Sequence, residues 1–201
     1  MTLPNQLTIL RILLTPVFVL LFIGERLVLK QVSVLVFAVA ALTDWYDGWV
    51  ARKTGNVTKW GVFLDPLADK ILTSAAFIAF AWLGMVEWWM VWVIVARDIS
   101  ITLLRSFSEL RGCTLHTNYS AKVKTFAQMV FIYGVLLAVV FKNSVAEFSP
   151  IINVILNKNV LYYSMFVVTI LTLGTGLQYL IENFKIVHSF FRSVSGRTES
   201  E

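Results

Sequence analysis

The chain has 201 residues, of which 58% are hydrophobic and only 14% charged, and its mean hydropathy is +0.75. Soluble domains carry roughly 45–50% apolar and about 25% charged residues, so this composition excludes an ordinary soluble domain and indicates a membrane protein. The single cysteine, Cys113, excludes an internal disulfide and a thiol-rich metal site; despite the formal charge of +5, no basic face with interleaved aromatics stands clear of the apolar segments, so no nucleic-acid partner is expected.

Six apolar blocks follow in order: Leu7–Ile23, Val32–Thr43, Ile71–Val86, Trp88–Leu104, Phe126–Phe141 and Leu161–Leu180. Each approaches the roughly 20 residues that a spanning helix needs, the shorter ones with their polar ends included. The first contains Arg11 and has no small-residue cleavage site after it, so it is expected to be retained and not removed as a signal. Gly24–Gln31 and Gly84–Glu87 are expected as short connections, the second flanked by Trp82, Trp88, Trp89 and Trp92 as an interfacial belt. Asn143–Asn159 is the longest connection, with the apolar run Ile151–Leu156 expected along the interface. Ser193–Glu201 reads as a frayed polar tail.

The expected fold is therefore an all-α integral membrane bundle of six transmembrane helices in a single domain, with any chemistry inside the bundle or at its mouth. Lys and Arg are richer around residues 52–59, 105–124 and 185–197 than in the alternate connections, which carry only Arg26, Lys30, Lys142 and Lys158. The positive-inside rule then places the richer set, and both termini, in the cytoplasm.

One stretch departs from this apolar background. "TDWYDGWVARKTGNVTKWGVFLDPLADK", Thr43–Lys70, holds Asp44, Asp47, Asp65 and Asp69, four of the twelve acidic residues. If the second helix runs on through Arg52, then Asp44, Asp47, Gly48, Ala51 and Arg52 share one face, while Asp65 and Asp69 are i, i+4 on the next helix. Four converging carboxylates in a poorly hydrated site disfavour one another's ionisation unless a cation joins them. Hard oxygen ligands suit Mg²⁺ or Mn²⁺, and Mg²⁺ is held by a few carboxylates together with substrate phosphates, so a metal–pyrophosphate complex is the natural guest. Gly48, Ala51 and Gly61 leave room for close approach of a ligand or of another helix. Asp65 before Pro66 also suits an N-cap, and Asp44 can pair with Arg11 or Arg52, but four intramembrane acids make a functional site the default.

The pattern Asp44-x2-Asp47-Gly48-x2-Ala51-Arg52-x8-Gly61-x3-Asp65-x3-Asp69 resembles the motif of the CDP-alcohol phosphotransferase family. "LPNQLTILRI", "ARDISITLLR" and "AKVKTFAQM" resemble the bacterial members that make phosphatidylglycerophosphate. The likeness covers most of Leu3–Met129, beyond which the chain reads as generic hydrophobic helix. It implies a bundle with a cytoplasm-facing cavity in the inner membrane of a bacterium, a homodimer, and two divalent ions, Mg²⁺ or Mn²⁺. It further implies Asp44, Asp47, Asp65 and Asp69 as metal ligands, with Asp69 also the general base. Gly48, Arg52 and Thr58 would contact the CDP-diacylglycerol headgroup, Ala51 and Gly61 would shape its pocket, and Asn5, Thr8 and Arg11 would form a polar stripe nearby. The activity implied is transfer of a phosphatidyl group from this membrane lipid to glycerol 3-phosphate, with release of CMP.

For the acceptor phosphate, Arg97 and Arg105 are i, i+8 on the fourth helix with Ile101 between them, and Lys122 opens the fifth. Their charges can meet over a doubly charged anion, although Arg105 and Lys122 also obey the positive-inside rule. Asp98 offers Arg97 no evident same-face partner, and Lys70 and Lys124 read as snorkelling charges. Serine, inositol phosphate or phosphatidylglycerol as acceptor, and a divalent-cation transporter, stay open as alternatives.

Overall fold

The computed structural model describes residues 3–54, 59–110, 119–142 and 149–183, and within these the side chains of 3–5, 44–54, 59–63, 65, 109, 110, 119 and 149 lie outside the description. The described residues form helices α1 (Leu3–Ile23), α2 (Leu27–Thr54), α3 (Lys59–Trp82), α4 (Trp88–Leu110), α5 (Tyr119–Phe141), α6 (Ser149–Ile155) and α7 (Lys158–Glu182). Among the described residues, three stretches are long and apolar enough to cross a membrane: Gln6–Ile23, Ser120–Phe141 and Lys158–Glu182. In α2 the apolar part is the shorter Leu27–Thr43. The other expected spans fall in α3 and α4, which add charged turns to their apolar halves: Asp65, Asp69 and Lys70 in one, Arg97, Asp98 and Arg105 in the other.

Two boundaries differ from expectation. The connection after α1 is shorter than Gly24–Gln31, because Leu27–Gln31 already belongs to α2. Helix α3 begins at Lys59, so Asp65 and Pro66 lie inside it and the N-cap reading of Asp65 is overturned. Pro66, lacking an N–H, leaves the carbonyl four residues earlier without its helical donor. The run Ile151–Leu156 largely becomes α6, with Ile152 buried and Ile151 and Val154 exposed.

Helix α3 ends in a paired C-cap: Gly84, at φ +68°, donates to the Ala81 carbonyl at 3.0 Å, and the Met85 N–H reaches Phe80 at 2.9 Å. Only glycine adopts that backbone conformation freely, and the reversal lets α4 return alongside α3. At the start of α7, the Asn157 side chain accepts from the Asn159 N–H at 2.9 Å and caps the helix.

The buried faces are graded along their length. On α1 the buried residues are Thr8, Arg11, Thr15, Phe18 and Phe22, polar at the start and aromatic at the end. Helix α4 runs the other way, from Met90 and Ile94 to Asp98, Thr102 and Ser106; α5 passes from Lys124 and Gln128 to Ile132 and Leu136; α7 ends in Thr172 and Tyr179. Helices α1, α2, α3 and α5 thereby share an aromatic core: Phe18 and Phe37 ring centroids lie 5.0 Å apart, Phe22 and Phe80 5.6 Å, and Phe37 and Tyr133 5.6 Å. Among the described residues, the buried charges, Arg11, Asp98 and Lys124, collect at the opposite end. Outward stripes such as Val28, Leu35 and Leu42 on α2 are exposed at heptad spacing, an arrangement suited to lipid and unfavourable in water. Trp82, Trp88, Trp89 and Trp92 are exposed at the aromatic end, where an interfacial belt is expected.

Candidate active site

At the polar end α3, α4, α5 and α7 enclose a cavity of about 330 Å³, within the roughly 300–1,000 Å³ of small-ligand sites. Helix α3 contributes Pro66, Asp69 and Lys70; α4 contributes Arg97, Ile101, Thr102, Arg105 and Ser106; α5 adds Ala121, Lys124 and Thr125, and α7 adds Tyr179. The helical repeat accounts for the grouping, since Pro66 and Lys70, Arg97, Ile101 and Arg105, and Ala121 and Lys124 are each three or four residues apart.

On the α3 wall the Asp69 carboxylate is partly exposed, and its Oδ2 lies 2.9 Å from Lys70 Nζ. The Thr73 hydroxyl donates back to the Asp69 and Lys70 carbonyls, each at 3.2 Å, which fixes this turn without occupying the carboxylate. Across the cavity Arg97 and Arg105 line one face of α4 at different depths, Arg97 mostly buried and Arg105 exposed at the mouth.

Behind this wall lies a buried ionic cluster. Asp98 Oδ1 accepts from Lys124 Nζ at 2.5 Å and from Arg97 Nη1 at 3.1 Å, while Oδ2 accepts from Gln128 Nε2 at 3.1 Å. Arg97 Nη2 donates to Thr175 Oγ1 at 3.1 Å. The adjacent residue does have a partner role for Arg97, contrary to the sequence-based expectation, because the guanidinium is long enough to fold back along its own helix. Lys70 and Lys124 do not snorkel: their ammonium groups end in ion pairs inside the bundle, and Lys124 is only 2% exposed. Lys122 is exposed and absent from the lining. Two residues along a helix is about 200° of rotation, so Lys122 and Lys124 face opposite ways and Lys124 is the one that reaches the cavity.

Thr8 and Arg11 share the inward face of α1 and are both buried, so Arg11 is no bilayer-edge anchor. Its Nε donates to the Ala40 carbonyl at 3.3 Å, one turn before Asp44 on α2. Asp44, Asp47, Gly48, Ala51 and Arg52 lie on the continuous helix α2, and Gly61 and Asp65 on α3. The face-sharing that required an unbroken second helix is therefore available to the backbone. Their side chains, and that of Asn5 on α1, lie outside the described set, and Thr58 lies outside the described residues. Among the described residues no three His, Cys, Asp or Glu side chains surround a common point, Asp69 being the one member of the aspartate quartet described.

Several site residues escaped the sequence reading: Asp98, Lys124, Gln128, Thr172, Thr175, Gly176 and Tyr179. Beyond Met129 the chain is not generic hydrophobic helix. Thr172, Thr175, Gly176 and Tyr179 recur at i, i+3, i+4 and i+7 on α7, a polar stripe whose phase matches Lys124 and Gln128 at i, i+4 on α5.

A model of the CDP-alcohol phosphatidyltransferase family matches residues 1–172. The CDP-diacylglycerol–glycerol-3-phosphate 3-phosphatidyltransferase of Bacillus subtilis (strain 168) is 38% identical over 147 residues, covering 67% of this chain and 76% of the relative. Proteins of the same name from Salmonella typhimurium (strain LT2) and Yersinia pestis (strain Pestoides F) are 35% and 34% identical. Those matches cover 88% and 90% of this chain and 92% and 93% of the relatives.

Proposed function

The chain belongs to the CDP-alcohol phosphatidyltransferase family, and we propose that it moves a phosphatidyl group from CDP-diacylglycerol to glycerol 3-phosphate, giving phosphatidylglycerophosphate and CMP. The observation that carries the acceptor assignment is one cavity with a carboxylate, Asp69, on one wall and Arg97, Lys124 and Arg105 on the other. A hydroxyl nucleophile needs the first and a phosphate monoester needs the second.

In this reading the acceptor phosphate sits against Arg97, Lys124 and Arg105, whose charge-assisted bonds fix its orientation. That places the far hydroxyl of a three-carbon acceptor toward α3. Asp69 accepts the proton as the hydroxyl oxygen attacks the phosphorus next to the diacylglycerol; the new O–P bond forms, the pyrophosphate P–O bond breaks, and CMP leaves with the bonding electrons. Lys70, beside Asp69, holds the carboxylate in place between turnovers.

Asp44, Asp47, Asp65 and Asp69 are the residues that would hold two Mg²⁺ ions, with Mn²⁺ as a substitute. The fit rests on an oxygen-only donor set at i, i+3 and i, i+4 on two unbroken helices, and on an Asp69 carboxylate turned to the cavity. Such ions, when bound, neutralise the pyrophosphate and the charge on its departing oxygen. Asn5, Thr8, Arg11, Gly48, Ala51, Arg52, Thr58 and Gly61 form the CDP-diacylglycerol side of the same proposal. It is supported by the burial of Thr8 and Arg11 beside α2.

The six long helices cross the inner membrane in this account, with the cavity open to the cytoplasm. The Lys and Arg bias supports that orientation. The homodimer rests on family resemblance alone. The test is purified protein with CDP-diacylglycerol, Mg²⁺ and a panel of acceptors, with CMP and lipid products measured. Glycerol 3-phosphate is expected to support turnover; turnover with serine, inositol phosphate or phosphatidylglycerol in its place overturns the acceptor assignment, and cation flux without CMP release overturns the enzyme.

A further inference from the structure

Asp98 is 3% exposed and is not part of the cavity lining, yet the two deepest cations of the lining both bond to its Oδ1. We propose that Asp98 is a positioning residue: through Arg97 and Lys124 it sets the spacing of the cations that receive the acceptor phosphate, and helix α7 completes the device. The proposal deepens the reading above and rests on it for the identity of the bound anion.

Its geometry is that of a clamp across three helices. Two cations at one oxygen are held closer together than their repulsion alone would allow, and Gln128, bonded to the other oxygen at 3.1 Å and to Thr172 at 3.5 Å, prevents the carboxylate from rotating. One negative charge between two positive ones leaves the pair cationic toward the cavity. The attraction for an anion survives while the like-charge cost of assembling it is offset.

Helix α7 supplies the other half. Arg97 Nη2 donates to Thr175, and a Cβ on Gly176 would lie 3.0 Å from Arg97 Nε and 3.1 Å from Cγ. Arg97 thus lies close against α7, over a patch of backbone where any side chain larger than glycine's would push on it. Thr175 and Gly176 both lie beyond residues 1–172, where the family model matches.

Asp98→Asn keeps the shape and removes the charge; Asp98→Glu keeps the charge. In steady state, Asp98→Asn is expected to raise KM for glycerol 3-phosphate and Ki for inorganic phosphate together by about tenfold or more, the loss of one charge-assisted bond. KM for CDP-diacylglycerol should stay unchanged, and Asp98→Glu should recover part of the loss. A variant that leaves acceptor KM unchanged, or shifts both substrates' KM equally, overturns the positioning role and reduces Asp98 to scaffold. If Asp98→Asn is not recovered folded, Thr175→Val is read by the same criteria. Should the wild-type protein turn over no glycerol 3-phosphate, the functional reading fails. The clamp is then judged by phosphate-dependent thermal stabilisation of the wild type, lost in Asp98→Asn if the inference holds and retained if it does not.

Discussion

Gly176 of α7 faces Arg97 of α4 so closely that a methyl group there would sit 3.0 Å from the guanidinium Nε, tighter than an ordinary contact, and Arg97 would have to give way by a few tenths of an ångström. The requirement is spatial: the residue is helical, and its neighbour Gly174 would meet nothing within 4 Å. Gly176→Ala is therefore expected to displace Arg97 and raise KM for the acceptor severalfold with KM for CDP-diacylglycerol unchanged. Gly174→Ala should match wild type. Steady-state kinetics of both variants check the pair, and equal behaviour of the two would contradict the contact.

Asp69 is the described carboxylate on the cavity wall. A positioned general base contributes about 10²–10⁴-fold to rate, so Asp69→Asn should lower kcat by that order while the folded protein is retained. Single-turnover CMP release is the measurement, and a variant with wild-type turnover would show the base to be misassigned.

Arg105 and Lys122 separate two views of the acceptor pocket. Arg105 lines the cavity mouth, whereas Lys122 is exposed outside the lining. Arg105→Asn should raise acceptor KM about tenfold, the scale of a bond to a charged group. Lys122→Ala should change it less than about twofold, as for an exposed charge screened by solvent. The reverse ranking would restore Lys122 to the site.

Chelation tests the metal proposal. With EDTA in excess CMP release should stop, and added Mg²⁺ or Mn²⁺ should restore it; full turnover in EDTA would remove the ions from the mechanism.

Composition and spacing carried the membrane class, the long helices and the aspartate motif, because these are encoded in hydropathy and in near-neighbour helical phase. The buried cluster was harder to read. Asp98 meets Lys124 across 26 residues and Arg97 meets Thr175 across 78; a polar stripe at helical spacing marks the inward face of a single helix, but no local pattern says which residues of α4, α5 and α7 meet one another. Lys122 and Lys124 illustrate the limit: both obey the positive-inside rule, and only the packing of α5 on its neighbours decides which one turns inward. Asp65 shows the opposite failure, where Asp-Pro suggested a helix start and the chain continues helical through it.

The most direct test of the account follows label from the acceptor. Incubating the purified protein with CDP-diacylglycerol, Mg²⁺ and glycerol 3-phosphate labelled in its phosphate should move label into lipid in one-to-one proportion with CMP, and Asp69→Asn should suppress both together. Release of CMP while the label stays in the aqueous phase would contradict it.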